Sequence, residues 1–119
     1  MVVLISNDLM FPSQISSAAR SLGIPCQTLG SIARLAEISE PIKLALVDLA
    51  TATAPIDRLL ADLRGAAPHA KAVAYGPHVQ AGQLAAAREA GFDQVVTRGQ
   101  LASQMVEILT SANVPDGER

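Results

Sequence analysis

Few side chains in this sequence are suited to chemistry, and most of those that are stand where an apolar run stops. The stretch LALVDLA, residues 44 to 50, is apolar except for Asp48, a carboxylate at the close of what reads as a buried strand. After the run VVLI at residues 2 to 5 come Ser6, Asn7 and Asp8. Tyr75 closes the run KAVAY with Gly76 next to it, and Thr97 closes QVVT with Arg98 next to it. A carboxylate at a strand end can ligate a hard cation, take up a phosphoryl group, or pair with a nearby cation such as Arg98.

Other chemistries find little support. The serines at 13, 16, 17 and 21 lie along or before one helix, with no base at a matching position, so a hydrolase triad is not indicated. Neither His69, in the loop GAAPHAK, nor His78, after Gly76 and Pro77, falls at a metal-ligand spacing. His78 reads as an exposed loop residue, with contact to a ligand or anion as its alternative. Cys26 is the single cysteine, which excludes an internal disulfide or a cysteine metal cage and reads as an inert core thiol.

These residues are positioned by short alternating elements. After VVLI, the residues Phe11, Ile15, Ala18 or Ala19, and Leu22 recur at helical spacing, and Gly23 suits a left-handed C-cap. A strand over 26–29 precedes a helix capped by Ser31 and carrying Ile32, Leu35 and Ala36. Beyond Pro41 lies the strand over 43–49, and Pro55 opens a helix with Asp57 in its first turn and Ile56, Leu59, Leu60 and Leu63 as its buried stripe. A strand over 71–75 leads to an alanine-rich helix from about 79 to 90, stopped by Gly91. The strand over 94–97 and a last helix marked by Leu101, Met105, Ile108 and Leu109 complete the pattern.

Five βα units with short connections imply a parallel sheet covered on both faces. The turn after the first strand holds no glycine, which removes both the dinucleotide fingerprint and the P-loop. The expected fold is α/β: a flavodoxin-like, doubly wound three-layer α/β/α sandwich with a five-stranded sheet of order 2-1-3-4-5. Its crevice lies at the carboxyl ends of the strands, where Asp48 and its neighbours stand. At 119 residues the chain forms one domain, expected over 1–110, with the polar residues 111–119 as a flexible tail.

Composition narrows the partners. The formal charge is −2 with no basic cluster, which argues against nucleic acid. No apolar run approaches the roughly 18 residues that span a bilayer. The opening MVVLIS has neither the basic region nor the cleavage site of a signal peptide, so a cytoplasmic protein is expected. Half of the residues are apolar but only Phe11, Tyr75 and Phe92 are aromatic, so the core must be largely aliphatic.

Taken in order, VVLISND, LALVDLA and REAGFDQVVTRG resemble three blocks of the receiver domains of bacterial response regulators, the chemotaxis-regulator-like family. The blocks sit at typical separations, and the likeness runs to about Thr110. The resemblance implies a phosphoacceptor at Asp48, an acidic pair after the first strand, a hydroxyl ending the fourth, a switch aromatic in the fifth and a lysine–proline pair after it. Here those positions fall on Ser6 and Asn7, on Gly76, on Val95, and on Arg98 and Gly99. Only Asp48 keeps its type. Asp8 enters the pocket only by a one-residue shift, and otherwise caps the first helix or stands as a surface acid.

Without the acidic pair, Mg²⁺ affinity should fall. Without the hydroxyl and the aromatic, a phosphoryl group has little to pull on. The resemblance therefore implies a degenerate pseudo-receiver: a non-catalytic bacterial signalling module, without cofactor, acting by contact with a signalling protein or as a homodimer. Its alternative is a receiver with residual Mg²⁺-dependent phosphorylation of Asp48. Asp48 itself is expected to pair with Arg98 across the old pocket, with a contact to some other ligand also open. A third reading makes Asp48, Tyr75, His78 and Arg98 a small-molecule crevice, although Tyr75 is as readily a core residue. The alanine-rich helix presents Gln80, Gln83 and Arg88 beside Ala81, Ala85 and Ala86 as a candidate partner surface.

Overall fold

In the computed structural model, which describes residues 1–52 and 54–111, the aliphatic runs form five strands. These are β1 (Val2–Ile5), β2 (Cys26–Leu29), β3 (Leu44–Asp48), β4 (Lys71–Gly76) and β5 (Gln94–Thr97). All neighbours pair in parallel and the order is β2-β1-β3-β4-β5, so the flavodoxin-like topology read from the sequence is present. β1 and β3 are buried at every position. That is why their sequences run apolar without alternation.

Helices cover both faces. α1 (Phe11–Ser21), α4 (Arg98–Ser103) and α5 (Met105–Ser111) lie on one side, where Phe11, Ile15, Leu101, Ile108 and Leu109 pack on Val2, Leu4, Leu46 and Tyr75. α2 (Ile56–Ala66), α3 (Ala81–Ala90) and a 3₁₀ helix over Ile32–Glu37 cover the other, where Leu35, Leu60, Leu63, Leu84 and Ala87 meet Val3, Ile5, Ala45 and Val47. A second short 3₁₀ turn, Leu49–Thr51, follows β3 directly. The sheet thus divides the core into two apolar layers.

Punctuation behaves as the residue types require at most ends. Gly23 and Gly91 take positive φ, 71° and 105°, where a side chain would be strained. Pro55 caps α2, whose first turn holds Asp57. Elsewhere the structure departs from the pattern. The segment after Ser31 winds as a 3₁₀ helix rather than an α-helix, and Ser31 makes no side-chain cap bond. Leu22, expected on the buried stripe of α1, is 38% exposed because the helix ends before it. α3 starts at Ala81 and leaves Val79 outside it. The last helix is two, α4 and α5, parted at Gln104, and no side-chain feature accounts for the break. The residues assigned to a tail lie outside the described residues from 112 onward.

Candidate functional site

Asp48 ends β3, and the register of the sheet sets its surroundings. Parallel partners project to the same face, and Asp48 is aligned with Tyr75 on β4. By the same alternation Ser6, following Leu4 on β1, points to this face, beneath α1. The outcome is a buried polar pair. The Ser6 hydroxyl donates to Asp48 Oδ2 at 2.8 Å, and the Ala50 N–H donates to Oδ1 at 3.0 Å. Asp48 is 2% exposed and Ser6 4%. Ser6 Oγ also accepts from the Asp8 N–H at 3.0 Å, tying the turn after β1 to the end of β3.

Asp8 is turned away from this pair. Its carboxylate accepts from the N–H groups of Leu9 (2.8 Å), Met10 (3.4 Å) and Phe11 (3.3 Å), satisfying donors at the start of α1. The amides of Met10, Phe11 and Leu9 hold its carboxyl below the usual range against some cost of burial, with Arg98 helping. The N-cap position of α1 is Met10, which makes no side-chain cap bond, so Asp8 is not the cap itself; it closes the turn before the helix and reaches only the first helical N–H, that of Phe11.

Tyr75 is fully buried, its ring 5.5 Å from that of Phe11 and tilted by 58°. Burial first, and the Asp48 charge second, push the phenol well above its ordinary value, while Ser6 and Arg98 act more weakly in the opposite sense. Its hydroxyl has no hydrogen-bond partner of acceptable geometry. The neighbouring Ser6 hydroxyl is committed to Asp48.

Arg98 does not form the expected ion pair with Asp48. Among the described residues the ion pairs are Arg34–Glu37 and Arg64–Asp93. The reason is the strand order: β4 separates β3 from β5 by two strand spacings, about 10 Å, and Tyr75 fills the interval. The Arg98 guanidinium lies instead over the Phe11 ring, 5.6 Å from its centroid, with Nε buried and unpartnered. Gly76 and Val95 project to the opposite face, where a Cβ on Gly76 would meet Leu49 and Leu84 at 3.8 Å. His78 is exposed in the loop after β4. The crevice of Asp48, Tyr75, His78 and Arg98 is therefore not assembled, because Tyr75 is core.

Asn7 belongs to a different feature. It is exposed, and its N–H donates to Thr51 Oγ1 at 3.0 Å, joining the ends of β1 and β3 at the rim of a cleft of about 350 Å³. On α3, Ala81, Ala85, Gln80 and Arg88 are exposed and Gln83 and Ala86 half-buried, while Leu84 and Ala87 pack inward. Two of the small residues thus face outward.

The Mg²⁺ that the receiver resemblance implies requires several free oxygen ligands with near-octahedral geometry. Asp48 has its oxygens engaged by Ser6 and Ala50, and Asp8 is spent on α1, so the residues present do not fit the ion. Among the described residues, no three His, Cys, Asp or Glu side chains gather as a metal cluster. No helix of the described residues is long and apolar enough to cross a membrane.

Solved structures match this architecture, among them the following three. An uncharacterized protein from Neptuniibacter caesariensis is 14% identical, with a TM-score of 0.73 over 93% of this chain and 87% of its own. A CheY-like protein (tadZ) from Pseudomonas aeruginosa PAO1 is 19% identical, with a TM-score of 0.72 over 93% of this chain and 97% of its own. The RcsB response regulator from Salmonella typhimurium is 9% identical, with a TM-score of 0.74 over 97% of this chain and 62% of its own. At these identities the likeness is one of fold, and the fold is that of receiver domains. No family model matches the chain, and no curated protein matches it significantly.

The sequence marked Ser6 as a lost acid; the structure makes it the partner of Asp48. Thr51 and Gly30 also belong to the rim of the cleft. Nothing local signals Thr51, since its bond to Asn7 spans 44 residues.

Proposed function

We propose that this chain is a receiver-like signalling module of the bacterial cytoplasm that acts by protein–protein contact and does not use phosphorylation of Asp48. The observation that carries the reading is the state of Asp48: 2% exposed, its oxygens held by Ser6 and Ala50, and flanked by the buried Tyr75. An in-line phosphodonor needs a free carboxylate oxygen and a cation beside it. Here both are opposed, the first by burial and the second because, among the described residues, no group of acids gathers beside Asp48 to hold a cation. The fold shared with a CheY-like protein and a response regulator supports a signalling role. In such a module the output is docking on a signalling protein or a second copy, and the face of α3 with Gln80, Gln83 and Arg88 is the surface proposed for it. No catalytic residue is assigned.

A second reading, residual Mg²⁺-dependent phosphorylation, is favoured by one observation: a single acid, Asp48, ends β3, where the receiver resemblance implies a phosphoacceptor. Incubation with Mg²⁺ and acetyl phosphate followed by intact mass measurement separates the two. The first reading expects no mass gain. A gain of one phosphoryl group, absent in Asp48→Ala, overturns it.

A further inference from the structure

We propose that the Ser6 hydroxyl is a relay that couples the buried carboxylate of Asp48 to the order of an exposed apolar tip, Leu9–Met10. Among the described residues these two are the most exposed large apolar side chains, at 89% and 77%, and they are consecutive in the turn between β1 and α1. Water favours the collapse of such side chains onto the nearest apolar surface. Their outward position therefore has to come from the backbone beneath them.

That backbone is bonded throughout. The N–H groups of Leu9, Met10 and Phe11 all donate to the Asp8 carboxylate. The Met10 carbonyl accepts from the Ser13 N–H at 3.2 Å and from the Ser13 hydroxyl at 2.7 Å. On the far side the tip is anchored by Phe11, which is buried with its ring beside that of Tyr75. On the near side everything depends on where Asp8 sits. Asp8 in turn is tied back to the sheet by its own N–H, which donates to Ser6 Oγ at 3.0 Å.

Ser6 serves both neighbours because a hydroxyl has one proton to give and two lone pairs to receive with. The proton goes to Asp48 Oδ2 at 2.8 Å, and a lone pair takes the Asp8 N–H. A charged acceptor binds that proton more strongly than a neutral one would, so Asp48 fixes the rotation of the hydroxyl and aims its lone pairs at Asp8. Bonds in such a chain also polarise one another, each strengthening the next. The order of the tip thus follows a carboxylate that makes no hydrogen bond to it. The relay stands apart from the proposed mode of signalling, since it needs neither a phosphoryl group on Asp48 nor a partner on α3.

The test is amide hydrogen exchange, measured by NMR on the ¹⁵N-labelled chain. Ser6→Ala removes one oxygen and should raise exchange at Leu9, Met10 and Phe11 about fivefold, the loss of one net hydrogen bond, although their own bonds go to Asp8. Asp48→Asn keeps the shape and leaves Ser6 a neutral acceptor, so exchange at the same amides should rise about twofold. The double variant should match Ser6→Ala, because two members of one chain do not add. The amides of Val3, Leu4 and Val47 should exchange as in the parent, which shows that the sheet persists. Unchanged exchange at the tip in Ser6→Ala would overturn the proposal and mean that the Asn7–Thr51 bond holds the turn unaided. No rise in Asp48→Asn, or a double variant in which the two effects multiply, would overturn it too, since the tip would not follow the carboxylate. A rise shared equally by the sheet amides would also sink it, as a general loosening.

Discussion

Replacing Tyr75 with phenylalanine should stabilise this protein. The side chain is fully buried, and its hydroxyl has lost water without gaining a hydrogen bond of acceptable geometry. Mutational data place the cost of such an orphaned group at about 1–3 kcal/mol. Removing it deletes that cost and keeps the ring, whose contact with Phe11 at 5.5 Å does not involve the oxygen. Some relaxation toward Ser6 lowers the figure, so about 1 kcal/mol is the expected gain. With unfolding entropy near 2.1 cal/mol/K per residue, a chain of 119 residues should gain about 4 °C in Tm.

An alkaline arm makes the test specific. The phenol is raised above its ordinary value of 10.0 in the folded state, so the native protein disfavours phenolate while the unfolded chain does not. Stability from this group is complete below about pH 10 and is lost as pH climbs above it, at up to about 1.4 kcal/mol per pH unit. Tyr75 is the single tyrosine, and the phenylalanine variant should lack this component of the decline. Urea denaturation of both proteins between pH 7 and 11 measures both effects. A variant less stable than the parent at neutral pH, at an unchanged m-value, would refute the reasoning. It would mean that the hydroxyl is bonded, to Ser6 or to an internal water, and that the seal over Asp48 is a polar network of three residues.

Acid should act through Asp93. Burial opposes its ionisation, but the Ala72 N–H at 2.7 Å and Arg64 at 3.2 Å overcome that and hold the carboxyl below its usual range. Its contribution is therefore present above about pH 4 and lost as pH falls below that, and Asp93→Asn should flatten the acid limb of a stability–pH curve measured by denaturant titration. At Gly76, whose φ is not positive and whose Cβ would meet only Leu49 and Leu84 at 3.8 Å, Gly76→Ser fits sterically but buries a hydroxyl among apolar groups, and should cost about 1–3 kcal/mol in the same assay. That change supplies a hydroxyl to the strand end and still should not permit phosphorylation by acetyl phosphate, because Asp48 stays buried.

The sheet was legible because β1 and β3 are buried on both faces, and VVLI and LALVD carry that burial as uninterrupted apolar runs. Gly23 and Gly91 announced two helix ends because positive φ admits little else. The sequence after Ser31 reads as an α-helix yet winds as a 3₁₀ segment, since Ile32, Leu35 and Ala36 satisfy either winding at so short a length. At the site, the losses at Ser6, Asn7, Gly76 and Val95 could be counted along the chain. The direction in which each side chain points could not. Asp48 and Arg98 attract by charge, but strand order placed Tyr75 between them. The cleft at Asn7 depends on what the 3₁₀ segment fails to cover, and no single residue encodes that.

The corner between β5 and α4 carries a mechanical consequence. Thr97 is both the last residue of the strand and the cap of the helix: its hydroxyl accepts from the Gln100 N–H at 3.0 Å, and its own N–H donates to Gln100 Oε1 at 2.8 Å. No spare residue remains between the two elements to act as a hinge. Strand and helix form a bent lever with a clamped elbow. A protein that pulls on α4 therefore acts directly on the edge strand of the sheet, with the two exposed bonds of the clamp, about 1 kcal/mol each, as the resistance at the corner.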